Sequence, residues 1–149
     1  MNKVLGSVFE VSLRVMLLLE VANPRMLSTE ELAAFDYMSV YAKDFGFSDE
    51  NLHGNGTYRF GEYASRRNLV QQAVKQLVLD RLITVNVLES GFSYSLNESG
   101  EEYCRQLQSD YSDWYRFYAE SAIMSTQGKS ELNLTKMITG RTLASLQRS

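Results

Sequence analysis

Residues 68–96 read NLVQQAVKQLVLDRLITVNVLESGFSYSL, and within that one stretch the hydrophobic period changes from helical to strand-like. On a helical wheel of about 100° per residue, Leu69, Val70, Ala73, Val74, Leu77 and Val78 fall in one half, opposite Asn68, Gln72, Lys75 and Gln76. That spacing predicts an amphipathic helix from Gly61 to about Leu82. Directly after it, Ile83-Thr84-Val85-Asn86-Val87 alternates with a period of two residues. Glu89-Ser90-Gly91 then supplies a turn, and Phe92-Ser93-Tyr94-Ser95-Leu96 alternates again, so a β-hairpin follows the helix.

Two helices are expected before this unit. Val4 to Val21 carries Val4, Val8, Val11, Val15 and Leu18 at helical spacing, and Met16, Leu17 and Leu19 widen the stripe until it nearly encircles the helix, which marks it as central and mostly buried. It should stop at Asn23-Pro24, because the proline ring pushes Asn23 out of the α region. Ser28-Thr29-Glu30-Glu31 has the hydroxyl and carboxylate of a capping box, and the helix it opens continues through Leu32, Phe35, Met38 and Tyr41-Ala42. Phe45 to Phe60 has a loop composition and a length typical of a functional or disordered segment. Beyond the hairpin, Asn97 is a natural cap for one long helix reaching about Met124. Residues 125–149 read as a basic, weakly helical appendage. The fold class is therefore mainly α with a small β-hairpin. The expected architecture is a winged helix-turn-helix over 1–97, and over 98–149 a long C-terminal helical extension, an aromatic helix and basic tail belonging to the same compact unit.

Composition narrows the function classes. The chain has 149 residues, 44% of them hydrophobic, and a net charge of −3, far from the basic balance that drives non-specific nucleic-acid binding. One cysteine, Cys104, excludes an internal disulfide and a multi-thiolate zinc site, and suits a reducing cytoplasm. Glu10, Arg14 and Glu20 interrupt the first apolar stretch, leaving Val15 to Leu19 as its longest unbroken run, so neither an export signal nor a membrane helix is expected.

Nothing in the sequence assembles an active site. His53 is the only histidine, and Gly54-Asn55-Gly56-Thr57 lacks the preceding strand and the lysine of a phosphate-binding loop, so no catalytic residue, cofactor, metal or small-molecule ligand is expected. Arg66 and Arg67 are more informative, because they lie within or at the edge of the apolar arc, with Glu62 four residues before Arg66. Such an arginine either locks the loop to the helix by an intrachain ion pair or offers a two-pronged donor to a carboxylate or phosphate. The exposed face of the same helix offers Asn68, Gln71, Gln72, Lys75 and Gln76 to base edges. Gln71 and Lys75, with Lys129, Lys136 and Arg141 of the tail, are the candidate DNA contacts. Tyr103, Leu107, Tyr111, Trp114 and Tyr118 recur at helical spacing, with Tyr115 and Phe117 outside the stripe. Aromatic residues at this density either anchor an interface or pack on the core, and Tyr111, Trp114, Tyr115, Phe117 and Tyr118 form the candidate partner interface. Acidic residues surround them while the tail is basic, which leaves open whether tail and helix pair, within or between chains.

At Leu52-His53, Arg59, Gly61-Glu62, Arg66-Arg67, Leu69-Val70 and Gln72, and again at Asn23-Pro24-Arg25, the chain resembles the middle component of bacterial ABC three-component systems. The resemblance runs from about Val8 to Leu96. Gly54 stands where the family usually has proline, and Leu79-Asp80-Arg81-Leu82 replaces a glycine-bearing helix end. The resemblance implies a small winged-helix subunit linking an SMC- or RecN-like ABC ATPase to an effector subunit in antiphage or anti-plasmid defence, as in Lamassu-type systems. No catalytic residue carries over, and DNA would be met through the complex. It also makes His53, Arg59, Glu62, Arg66 and Arg67 a cluster for fold integrity or docking. Two rivals are a homodimeric winged-helix transcription regulator and a hydrolase using His53 and Cys104.

Overall fold

The chain's one proline sets the end of the first helix. In the computed structural model, which describes residues 7–46, 51–52 and 62–148, the last eight of these by backbone alone, helix α1 (Val8–Ala22) starts at Ser7, whose hydroxyl accepts from the Glu10 amide, and ends at Asn23. Its side chains are buried almost all round, from Val11 through Leu19, because helices pack on it from several sides. Helix α2 (Thr29–Val40) has both halves of the expected capping box, Ser28 accepting from the Glu31 amide and Glu31 accepting from the Ser28 amide. It stops one residue before Tyr41-Ala42, which instead lead into a 3-10 turn (Ala42–Phe45) closed by Gly46 at φ 81.

Helix α3 (Tyr63–Leu79) buries Val70, Ala73, Val74 and Leu77 against α1 and α2, the arc its sequence pattern marks out. It ends three residues earlier than its period suggests, because Arg81 adopts φ 59 and turns the chain into strand β1 (Ile83–Leu88). Strand β2 (Gly91–Leu96) pairs antiparallel with β1, Ile83 facing Leu96 and Val85 facing Tyr94. Leu27 and Tyr94 exchange both backbone hydrogen bonds, which stitches the hairpin to the segment before α2.

The single long helix expected after Asn97 is two helices. Helix α4 (Glu98–Gln106) has Asn97 as its cap, and α5 (Asp110–Ser125) begins anew at Ser109, whose hydroxyl accepts from the Ser112 amide. The break is held by Arg116, which donates to the Cys104 and Leu107 carbonyls left open at the end of α4. The tail is likewise no loose appendage. Helix α6 (Glu131–Arg148) buries Leu134 and Ile138 completely and packs on α2, while Ser28 bonds to Glu131 at its start. The hydrophobic cluster is continuous from α1 to α6.

Candidate functional site

Two features stand apart from the ordinary core, one inside and one outside. Inside, Arg14 of α1 grips Asp36 of α2 with two prongs, Nε to Oδ1 at 2.8 Å and Nη2 to Oδ2 at 3.2 Å, and both side chains are 1% exposed. Tyr115 of α5 donates to Asp36 Oδ1 at 2.6 Å, and Arg66 Nη1 of α3 lies 3.7 Å from Oδ2. Arg66 Nε also reaches Glu62 at 3.1 Å, Tyr41 donates to the same carboxylate at 2.8 Å, and the Arg66 guanidinium lies over the Tyr41 ring. One aspartate thus joins four helices.

Burial works against a charge on Asp36, but Arg14, by charge and by hydrogen bond, with Arg66 and Tyr115, holds its carboxyl below the usual range. Burial and the neighbouring Asp36 charge push the Tyr115 phenol well up, so it stays protonated and donates. Burial first, then the hydrogen bond to Glu62, pushes Tyr41 up to about 12. Asp36 is therefore ionised, and Tyr115 and Tyr41 are protonated, across neutral pH.

Of the expected docking cluster, Glu62, Arg66 and Arg67 come together at the start of α3; His53 and Arg59 lie outside the described residues. Arg66 is buried, with its charge directed at Asp36 and Glu62, and Arg67 pairs with Glu30 at 3.0 Å. Arg66 therefore presents no open fork to a phosphate. Arg14 and Asp36, the centre of the network, lie outside the site residues that the sequence predicts. The signal was present: a charge in a helix apolar on every side, and another inside Ala33-Ala34-Phe35-Asp36-Tyr37-Met38, each require a buried partner.

Outside, the aromatic helix is sorted differently from its sequence pattern. Tyr115 is completely buried, Tyr118 nearly so and Tyr111 partly, so Tyr115 and Tyr118 leave the expected partner surface and belong to the core. Trp114 and Phe117 are 53% and 54% exposed, with ring centroids 6.2 Å apart, and Trp114 stacks on Tyr118 at 5.6 Å. The cause is the break at residues 107–109, which resets the phase of α5, so the stripe begun by Tyr103 and Leu107 does not continue on the same side. The break also opens a cleft of about 490 Å³ between α1 and the start of α5, lined by Leu13, Leu17, Leu107 and Tyr111 with Arg14 in its wall.

The candidate DNA contacts divide. Gln71 and Lys75 are exposed on α3, beside a groove of about 370 Å³ formed with Val78, Leu79, Val85 and Phe92. Lys129 and Lys136 are exposed at the α6 end of the molecule, and the Arg141 side chain lies outside the described residues. Burial raises the Cys104 thiol to about 12, aided by Glu20, so it is not a thiolate at neutral pH.

The family model for the ABC-three component (ABC-3C) system Middle Component 2 matches residues 4–148. The chain belongs to that family. Membership makes it one component of a multi-component system and implies protein partners. The match takes in the aromatic helix and the tail, beyond the Val8–Leu96 stretch that carries the recognisable motifs. No curated protein and no solved structure matches the chain. Among the described residues, no helix of this middle component is long and apolar enough to cross a membrane, and no group of three or more His, Cys, Asp or Glu is placed to hold a metal ion.

Proposed function

We propose that this middle component is a non-catalytic, cytoplasmic adaptor: a winged helix with a helical extension that links an SMC- or RecN-like ABC ATPase to an effector in a bacterial antiphage or anti-plasmid complex of the Lamassu kind. The observation that carries this reading is the exposed Trp114–Phe117 pair on α5 in a chain whose family acts in assemblies. Two half-exposed aromatic rings held in a fixed arrangement lose little side-chain entropy on docking, the property of interface anchors. The charged residues nearest the core support the same reading from the other side, since Arg14, Asp36, Arg66 and Glu62 are engaged with one another. The hairpin directly after α3 supports the wing, and α4 to α6 are the extension. A tagged full chain expressed with its neighbouring genes should emerge at moderate salt with the ATPase subunit; emergence alone would end the adaptor reading.

One observation favours a second reading, a homodimeric DNA-binding regulator: the exposed amide face of α3, with Gln71, Gln72, Lys75 and Gln76. It requires tight, salt-steep binding to a palindrome near its own promoter, weakened by Lys75→Ala.

A further inference from the structure

Trp114, Phe117, Ser121 and Met124 follow one another along α5 at spacings of three, four and three residues, the a/d repeat of a coiled-coil seam. In α5 this seam faces outward: Trp114, Phe117 and Met124 are each more than half exposed, and Ser121 between them is small and partly exposed. The opposite side of the helix, with Tyr115, Ala119 and Ala122, is the one that packs on α1 and α2. A helix with one apolar face in the core and a second in solvent has more apolar surface than its own fold covers.

One flank of the seam is acidic. Asp113 and Glu120, one heptad apart, are exposed along it, and Asp110 is exposed in line with the seam one turn before Trp114; among the described residues, Asp113 alone of the three forms an ion pair, with Arg116 at 3.6 Å, which is itself bound to Glu20. Size also bears on the occupant. Each of the three apolar side chains leaves on the order of 100 Å² open, so two copies meeting seam to seam would bury well under the roughly 1,000 Å² of a stable interface. A partner held by additional contacts does not need the seam to suffice alone.

We infer that the outer face of α5 takes one helix of another subunit of the assembly in coiled-coil packing, a helix with an a/d apolar repeat and lysine or arginine at its flanking positions. This rests on the adaptor reading and names the chemistry of its partner. A basic flank would meet Asp113 and Glu120, fixing register and speeding encounter, while Trp114 and Phe117 supply the affinity.

The test uses the full chain, co-expressed with the products of its neighbouring genes, with a photo-crosslinking phenylalanine analogue at Phe117 or Met124. The inference expects crosslinks in a heptad-bearing helix of another subunit. It further expects Trp114→Ala to weaken assembly about 30-fold. The double reversal Asp113→Lys with Glu120→Lys, at exposed positions, should weaken it about tenfold at low salt, with the difference shrinking as salt is added. Crosslinks into a second copy of this chain, or a double reversal without effect, overturn the inference. If the complex forms but the crosslinks fall in a segment without basic flanks, the adaptor reading stands and the seam does not. If no subunit accompanies the wild-type chain, both fall.

Discussion

The interior at Asp36 and the outer face of α5 invert the usual placement of polar and apolar groups: two arginines and an aspartate are buried where α1, α2 and α3 meet, while a tryptophan and a phenylalanine are more than half exposed on α5. Tyr115 and Trp114, adjacent in sequence, divide between them, one ring completely buried with its hydroxyl on Asp36, the other turned to solvent. The difference teaches that charge in this middle component serves the fold and leaves aromatic surface open for the docking proposed above. A buried ion pair is seldom a large net source of stability, but it is costly to half-remove, so it ties the helices into one arrangement.

The comparison breaks most forcefully at Asp36. Asp36→Ala leaves Arg14 buried without its counter-charge and removes the acceptor of Tyr115, and should cost about 3–5 kcal/mol in a urea titration, enough to unfold a marginal domain. If the fold rather than a ligand owns this pair, Arg14→Met with Asp36→Leu should recover much of that loss. Acid gives an independent view. The folded-state carboxyl of Asp36 is depressed, so the unfolded chain binds the proton more readily; the aspartate's contribution is complete above about pH 5 and drains away as pH falls through about 4 and below. Thermal melts of the wild type should therefore weaken steeply below pH 4, and those of the double variant less so.

Packing at the junction of hairpin and α4 gives the next largest effect. A Cβ on Gly100 would sit 2.2 Å from the Leu82 carbonyl oxygen and 2.7 Å from a Leu96 methyl, so Gly100→Ala should destabilise by about 1–3 kcal/mol through backbone displacement, despite alanine's better helix propensity. Smaller still is Ser109→Ala, which removes the cap of α5 and should lower stability by about 1 kcal/mol. At the exposed end of the scale, Trp114→Ala with Phe117→Ala should shift the folding free energy by less than about 1 kcal/mol while abolishing co-purification, separating the two regions in a single pair of measurements.

Legibility in the sequence followed the range of the interactions. Ser28 with Glu31, Asn97 with Gly100, and the period change from α3 to the hairpin are local, and each is readable within a few residues. The break between α4 and α5 was hidden because Tyr103, Leu107 and Tyr111 keep a four-residue spacing straight across it, while the cap at Ser109 is one ordinary serine and the stabilising Arg116 sits a further two turns along. That same hidden break misassigned the aromatic faces. Asp36 and Arg14 are 22 residues apart, and their pairing is decided by how α1 and α2 pack, which no local pattern records. Leu134, Met137 and Ile138 do mark an inward stripe in the tail, but one so short beside its basic charge that the pattern alone does not separate a docked helix from a loose one.

The central claim, that exposed α5 is where this chain meets its assembly, is tested most directly by comparing wild type and Trp114→Ala/Phe117→Ala in light-scattering chromatography of the co-expressed complex, with circular dichroism of each free chain as the control. The account predicts that both chains fold alike and that only the wild type runs at the mass of a multi-subunit assembly. A folded double variant that still runs at the full mass of the complex would contradict it.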